Sequence, residues 1–491
     1  MNSTANFLAF DLGAESGRVV AGRFDGRRLR LEEIHRFPNG PVRVCQSLHW
    51  NVLHLFTEIK TGLAKAARDE GDLVSMGLDT WGVDFALLDR AGQLIENPYN
   101  YRDSRTDGML EKAFEMVPRE QIFEQTGIQF LQLNSLYQLL AMVQADSPAL
   151  EIARTFLTIP DLFNYWLTGQ KVCEFTNATT TQCYNPRDRT WARPLLKQLG
   201  IPDTIFPEII QPGTTLGPLI APVVEEVGAA NLSVIAPACH DTGSAVAAVP
   251  AQGHDFVWIS SGTWSIIGVD VPEAVINEQA LAANLTNEGG VANTFRLSKN
   301  VMGLWLVQEC RRAWTNQDKA FSYDELTQLA GQAAPLQAII DPDSNDFLKP
   351  GNMPARIQAA CRQSGQPPPD SEGAIIRCIL ESLALKYRWV LEQLEKILER
   401  RLDTIHIVGG GAQNHLLNQF TADATGRQVI IGPVEATSIG NILLQAVSLG
   451  YVGSLGEGRE LVKRSFEVNT YEPKISPAWD EAYSRFLTLL E

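Results

Sequence analysis

Short apolar runs bounded by glycine and aspartate alternate along the chain with longer stretches of helical periodicity, a pattern that predicts an α/β protein. In the first half the runs predict strands at 8–10, 19–23, 29–36, 75–79 and 86–88. Between the third and fourth, Leu53, Phe56, Ile59, Leu63 and Ala67 recur at helical spacing and predict an amphipathic helix. Further helices are expected at 135–144, 160–167 and 191–199. The second half repeats the theme with strands at 255–260 and 265–270, helices at 302–313 and 323–331, and a long helix from 375 to about 400. A strand at 405–408 then meets a helix starting near Asn414, and proline and glycine clusters mark loops at 341–351 and 365–372.

Two of the predicted strand pairs are joined by glycine turns, one in the segment 7–22 and one in 256–268. Glycine allows close approach of successive backbone N–H groups to an anion, and Ser16, Arg18, Thr263 and Ser265 would add hydroxyl and guanidinium donors. Each turn alone is more often an ordinary hairpin; the duplication predicts two related lobes facing one nucleotide. Neither closes with the Gly-Lys-Ser/Thr of a Walker loop, and neither leads into a helix as a dinucleotide fingerprint does. At 491 residues the chain exceeds what one core usually supports, so two domains are expected, 1–248 and 249–491.

The net charge of −16 argues against nucleic acid and anionic membranes as partners and favours a small molecule. The first residues lack the basic and apolar regions of a signal peptide, so a cytoplasmic location is expected. Seven cysteines, Cys45, Cys173, Cys183, Cys239, Cys310, Cys361 and Cys378, show no CxxC spacing and are expected to be buried thiols. The histidines, His254 among them, share no metal-ligand spacing.

Phosphoryl transfer to a hydroxyl needs a held triphosphate with its metal, a placed acceptor and a carboxylate for the acceptor's proton. Asp241, opening a small-residue helix after the run 233–238, is a candidate for that carboxylate; capping the helix is the alternative. Asp11, closing the first strand, would hold Mg²⁺ through its water shell, or form a turn. Glu15 would repel phosphate and is expected to face solvent or an arginine. Asp79, Asp84 and an apparently exposed Trp81 surround Gly82 and fit a sugar wall, with Trp81 and Phe85 as core the competing reading. The segment 101–106 is another polar cluster, which alone could be a solvated loop, and the segments 409–414 and 432–438 fit the two sides of an adenosine site.

Taken in order, DLGAESGR, DTWGVDF, YRDSR, LTG at 167–169, TNATTTQ at 176–182, HDT at 240–242, SSGTWS, KNVMGLWL, GGGAQN and GPVEATSIGN resemble the FGGY family of carbohydrate kinases over nearly the whole chain. The resemblance implies two ribonuclease-H-like lobes of the actin and sugar-kinase type with a cleft between them. An N-terminal lobe over 1–248 would bind sugar and phosphate, and a C-terminal lobe over 249–491 would bind nucleotide. It implies ATP and Mg²⁺ as cofactors and a ketose substrate phosphorylated on its 1-hydroxyl, L-rhamnulose ahead of L-fuculose. By the same resemblance Asp241 is the proton acceptor, and Ala14, Glu15, Ser16, Gly17, Arg18, Thr263, Gln308 and Gly410 contact ATP. Gly82, His240, Asp241, Thr242 and Asn300 would contact the sugar, and Cys361 and Cys378 match a pair that is disulfide-bonded in a relative.

Overall fold

The structure is a computed structural model that describes residues 4–69, 73–229, 232–253 and 255–490. His254 therefore lies outside the described residues. Two compact units are present.

The first unit is built on strands β1 (Ala5–Leu12), β2 (Ser16–Phe24), β3 (Leu29–Pro38), β4 (Leu73–Thr80), β5 (Thr214–Pro218) and β6 (Ser233–Ala236), in spatial order β5-β6-β4-β1-β2-β3. The three leading strands form an antiparallel meander, whereas β4 joins β1, and β6 joins β4, in parallel. Helix α1 (Val52–Asp69) makes the crossover from β3 to β4 and buries the stripe Val52, Leu55, Ile59, Leu63 and Ala66. Helices α2 (Ser135–Gln144), α3 (Phe175–Thr180) and α4 (Asp241–Ala247) complete the parts that carry polar chemistry.

A second sheet, most of it in the second unit, holds β7 (Phe256–Ser261), β8 (Ser265–Val271), β9 (Phe295–Val301), β10 (Thr404–Val408), β11 (Gln428–Ile431) and β12 (Asn469–Tyr471) in the order β9-β8-β7-β10-β11-β12, with the short strand Thr286–Gly289 at the edge beyond β9. Here too β7 pairs antiparallel with β8 and parallel with β10, β10 is parallel to β11, and an antiparallel strand ends the sheet. The duplication seen in two glycine turns thus extends to whole sheets. Helices α5 (Trp305–Thr315), α6 (Glu372–Leu398) and α7 (His415–Thr425) belong to this unit.

Residues 270–297 and 436–465 lie in the first unit, so the compact units do not divide at the single expected boundary near 248. The reason is visible in α8 (Ala436–Ser448), which packs on α4, β1 and β4. Small residues allow it: a Cβ on Gly440 would stand 1.7 Å from the Ser244 carbonyl oxygen. Polar groups then fix the register, since Gln445 Nε2 donates to Leu8 O at 2.9 Å and Ser75 Oγ donates to Gln445 Oε1 at 2.7 Å.

Two local expectations fail. The predicted helix at 191–199 spans only Arg193–Gln198, because Trp191 is held in a short strand pairing with Tyr184. Cys45 is exposed at a hairpin tip, while the other six cysteines are buried, all seven as free thiols.

Candidate active site

Three carboxylates meet at the carboxyl ends of parallel strands in the first unit, the edge where open α/β sheets bind ligands. Asp11 at the end of β1 pairs in register with Asp79 of β4, and Thr80 bridges to His240, which precedes Asp241 at the start of α4. Asp79 is buried; its Oδ2 accepts from Asn441 Nδ2 at 2.6 Å, and its Oδ1 has no hydrogen-bond partner among the described residues. Burial first, and the neighbouring Asp11 charge second, push the Asp79 carboxyl well above its ordinary range. Asp241 is pushed the same way by burial, opposed by His240 and reinforced by Asp11.

Among the described residues the hydrogen bonds to Asp241 all fall on Oδ1, from the Thr242 N–H at 2.6 Å and Thr242 Oγ1 at 3.2 Å. His240 Nε2 also faces that oxygen, at 3.5 Å. The carboxylate is partly exposed and its Oδ2 remains open. Behind it, His240 Nδ1 lies 3.0 Å from Arg296 Nη2 and 3.2 Å from Glu288 Oε2.

The loop that presents Asp241 hangs on α3, whose cap is Glu174. Glu174 Oε2 accepts from the Cys239 N–H at 3.0 Å and from Thr176 Oγ1 at 2.6 Å, and Thr176 Oγ1 accepts the His240 N–H at 3.1 Å. Asn177 Nδ2 reaches the carbonyls of Trp81 and Cys239. Deeper still, the Glu174 N–H donates to Asp161 Oδ1 at 3.1 Å, and Thr158 Oγ1 bonds the other Asp161 oxygen. Burial raises Glu174 to about 7 and Asp161 to about 8. TNATTTQ was legible as a motif, but its task of holding the Asp241 loop, through Thr176 on His240 64 residues away, was not.

DTWGVDF forms a strained turn over the same helix. Val83 has φ of +67°, a left-handed backbone that β-branched residues avoid. Its N–H donates to Thr180 Oγ1 at 2.9 Å, and its carbonyl accepts from Ser135 and Gln138. Gly82 fits beneath Thr180, where a Cβ would meet the side chain at 3.0 Å. Trp81 is not exposed: it is buried 4.1 Å from Trp50, and both indoles donate to Asp84 Oδ2, at 3.0 and 2.5 Å. Phe85 is likewise core. Asp84 also receives Gln138 Nε2 at 2.9 Å, and burial raises it to about 6. It organises the turn rather than lining a sugar wall. The 101–106 cluster is packed rather than solvated, with Tyr101, Asp103 and Thr106 buried and Arg105 bonded to Gln138 at 2.7 Å.

The first glycine turn spans Gly13 to Glu15, closed by the Gly13 N–H on Ser16 O at 2.9 Å, with Ala14 between them and Glu15 exposed. Ser16 and Gly17 sit in β2, and Gly17 needs no unusual φ; it is small because a Cβ there would meet the Phe37 ring at 2.3 Å. Arg18 Nε and Nη2 both donate to Asp11 Oδ2, at 2.9 and 2.6 Å, so a metal at Asp11 would share the carboxylate with this arginine. In the second unit, Gln308 Nε2 donates to Thr263 Oγ1 at 3.2 Å, while Gln308 Oε1 is buried without a partner. Gly409 has φ of +89° and presses on Ser261, whereas Gly410 faces open space. Asn300 lies on β9 beside buried Lys299. The segment expected as the second adenosine wall leads into α8, whose Asn441 serves Asp79 instead.

The chain matches the FGGY family of carbohydrate kinases, its N-terminal domain over residues 7–248 and its C-terminal domain over 257–449. It belongs to that family. Within it, the chain is 44% identical to a rhamnulokinase of Bacteroides thetaiotaomicron over 98% of both chains. It is 43% identical to a rhamnulokinase of Halalkalibacterium halodurans, covering 94% of this chain and 98% of that one. A ligand-bound xylulose kinase from Lactobacillus acidophilus superposes with a TM-score of 0.81, covering 99% of this chain and 97% of that one at 16% identity. Plasmodium falciparum glycerol kinase with ADP gives 0.78 over 100% and 98%, also at 16%. These two share the fold. The protein is thus an ATP-dependent carbohydrate kinase.

Proposed function

We propose that this kinase transfers the γ-phosphoryl group of ATP to the 1-hydroxyl of L-rhamnulose, giving L-rhamnulose 1-phosphate and ADP, with Asp241 as the base. The carrying observation is the asymmetry of Asp241: donors occupy Oδ1 and leave Oδ2 free to take a proton. Burial raises its basicity, which suits a general base more than an ordinary surface carboxylate. The kinship with rhamnulokinases supports the choice of ketose.

His240, Thr242, Gly82 and Asn300 would orient the sugar so that its 1-hydroxyl reaches Asp241 Oδ2. Ala14, Glu15, Ser16, Gly17, Arg18, Thr263, Gln308 and Gly410 would contact ATP. The residues fit Mg²⁺. Among the described residues no cluster of three or more metal-ligating side chains exists, but Mg²⁺ needs only one or two carboxylates besides phosphate oxygens. Asp79 Oδ1 lacks a partner beside Asp11, so these two carboxylates would hold the ion, which when bound would screen the charge on the phosphoryl oxygens.

A coupled ADP-release assay over L-rhamnulose, L-fuculose, D-xylulose, L-ribulose and D-fructose tests the reading. L-Rhamnulose should show the highest kcat/KM. Another ketose ahead by more than about tenfold, or roughly 1.4 kcal/mol in transition-state binding, would overturn the substrate assignment. ADP release that ignores added ketose would overturn transfer itself.

A further inference from the structure

Arg296 is the charged residue least expected in this core. It is fully buried on β9, its Nε donates to Gly289 O at 2.9 Å, and its Nη1 has no hydrogen-bond partner among the described residues. Nη2 lies 3.1 Å from Glu288 Oε2 and 3.0 Å from His240 Nδ1. A buried ion pair contributes little over a well-packed apolar pair, so the Glu288 contact alone does not account for an arginine here. The contact with His240 does more. A guanidinium nitrogen can only donate and keeps its proton at any ordinary pH. Nδ1 must therefore accept, and a neutral imidazole whose Nδ1 accepts carries its hydrogen on Nε2. Nε2 is the nitrogen that faces Asp241 Oδ1.

We propose that Arg296 is a positioning residue that locks His240 in the Nε2–H tautomer, so that the ring turns a donor, and not a lone pair, toward Asp241 Oδ1. This rests on Asp241 acting as the base. Held in that way, Oδ1 is satisfied by Thr242 and faced by an N–H, and the basic lone pair is confined to Oδ2. The alternative tautomer is close at hand, because Glu288 Oε2 stands 3.2 Å from Nδ1 and accepts an Nδ1–H once Arg296 is gone. Nε2 would then present a lone pair to the Asp241 carboxylate, and the two would move apart. The backbone contacts of His240, its N–H on Thr176 and its carbonyl on the Gly243 and Ser244 N–H groups, are indifferent to the ring's tautomer.

Histidine-selective ¹⁵N labelling of the full chain, with a long-range ¹H–¹⁵N spectrum of the ligand-free protein, reads the tautomer directly. His240 is assigned by the signal lost in His240→Gln. The expected wild-type result is a protonated Nε2 and an unprotonated Nδ1. Arg296→Met should move the hydrogen to Nδ1 and lower kcat with L-rhamnulose by about 10²-fold, the usual effect of a base misplaced by an ångström, with the KM for ATP within about twofold. Arg296→Lys, which keeps a charged donor near Nδ1, should retain the tautomer and recover most of the loss. Glu288→Gln breaks the same ion pair yet leaves Arg296 donating, so it should keep the Nε2–H form and most of kcat. An Nδ1–H or doubly protonated His240 in the wild type overturns the proposal, and this measurement needs no variant to fold. A Glu288→Gln loss as large as that of Arg296→Met also overturns it, since a merely structural ion pair predicts that equality. If no ketose is phosphorylated, the substrate assignment fails, while the spectrum still decides the role of Arg296.

Discussion

Gly440→Ala probes how closely catalysis depends on the seam between α8 and α4. The added Cβ would sit 1.7 Å from Ser244 O, short by about 1.3 Å of the 3.0 Å below which real Cβ contacts essentially do not occur. The obstacle is backbone in the middle of a seven-residue helix, so no side chain can turn aside; α4 and α8 must separate by roughly that distance. Overpacking of this kind usually costs about 1–3 kcal/mol. Ser244 lies three residues from Asp241 on the same helix, so the base is carried along, and a displacement near 1 Å is worth about 10²-fold in rate. The variant should therefore melt several degrees lower and lose about two orders of magnitude in kcat, with a small change in the KM for ATP. Thermal unfolding and the coupled ADP assay measure both. Wild-type turnover in a folded Gly440→Ala protein would refute the argument that this seam sets the position of Asp241.

Asp241→Asn should lower kcat by about 10²–10⁴, the range for a lost general base, and leave thermal stability unchanged or slightly higher because it removes a charge crowded by Asp11 and Asp79; near-native turnover would remove it from the mechanism. Asp161 is raised from 3.8 to about 8, so the folded protein binds a proton that the unfolded chain releases, and stability falls as pH rises through that window. Asp161→Asn, which mimics the protonated acid, should flatten the loss of stability between pH 5 and 8 in urea titrations, and an unchanged slope would contradict it. Gly410→Val should raise the KM for ATP by tenfold or more at constant melting temperature, because nothing lies within 4 Å of its Cβ position; an equal rise for ketose would argue against a nucleotide role. Gly17 does not offer as clean a test, since valine there strikes Phe37.

Periodicity exposed the strands and helices that bury one face, such as α1 and the Ser135–Gln144 helix, because their pattern is local. The duplicated glycine turns pointed to duplicated sheets for the same reason. Partners far apart in sequence were not legible. Trp81 reads as surface until Trp50, 31 residues earlier, stacks on it and both indoles find Asp84. Arg296 sits in a stretch of alternating residues that gives no sign of which charge is interior; only the fold brings Gly289, Glu288 and His240 around it. Gly17 shows the converse. Its place in a glycine turn invited a phosphate explanation, and the structure supplies a packing one. Asn441 closes the family motif GPVEATSIGN, three residues past the segment expected as an adenosine wall, and is found on Asp79, because α8 crosses back into the unit that the first half of the chain begins.

That return has a consequence for how the protein is made. Synthesis is vectorial, and the strands β1 and β4 leave the ribosome hundreds of residues before α8, which covers them. Until residue 445 emerges, the Leu8 carbonyl and the Ser75 hydroxyl lack their native partner, and until residue 441 emerges Asp79 is without its amide. The first unit is thus unfinished for most of translation, and the nascent chain carries an open sheet face that a holdase can recognise. Cutting the gene where the two family domains meet would separate that face permanently from the helix that closes it.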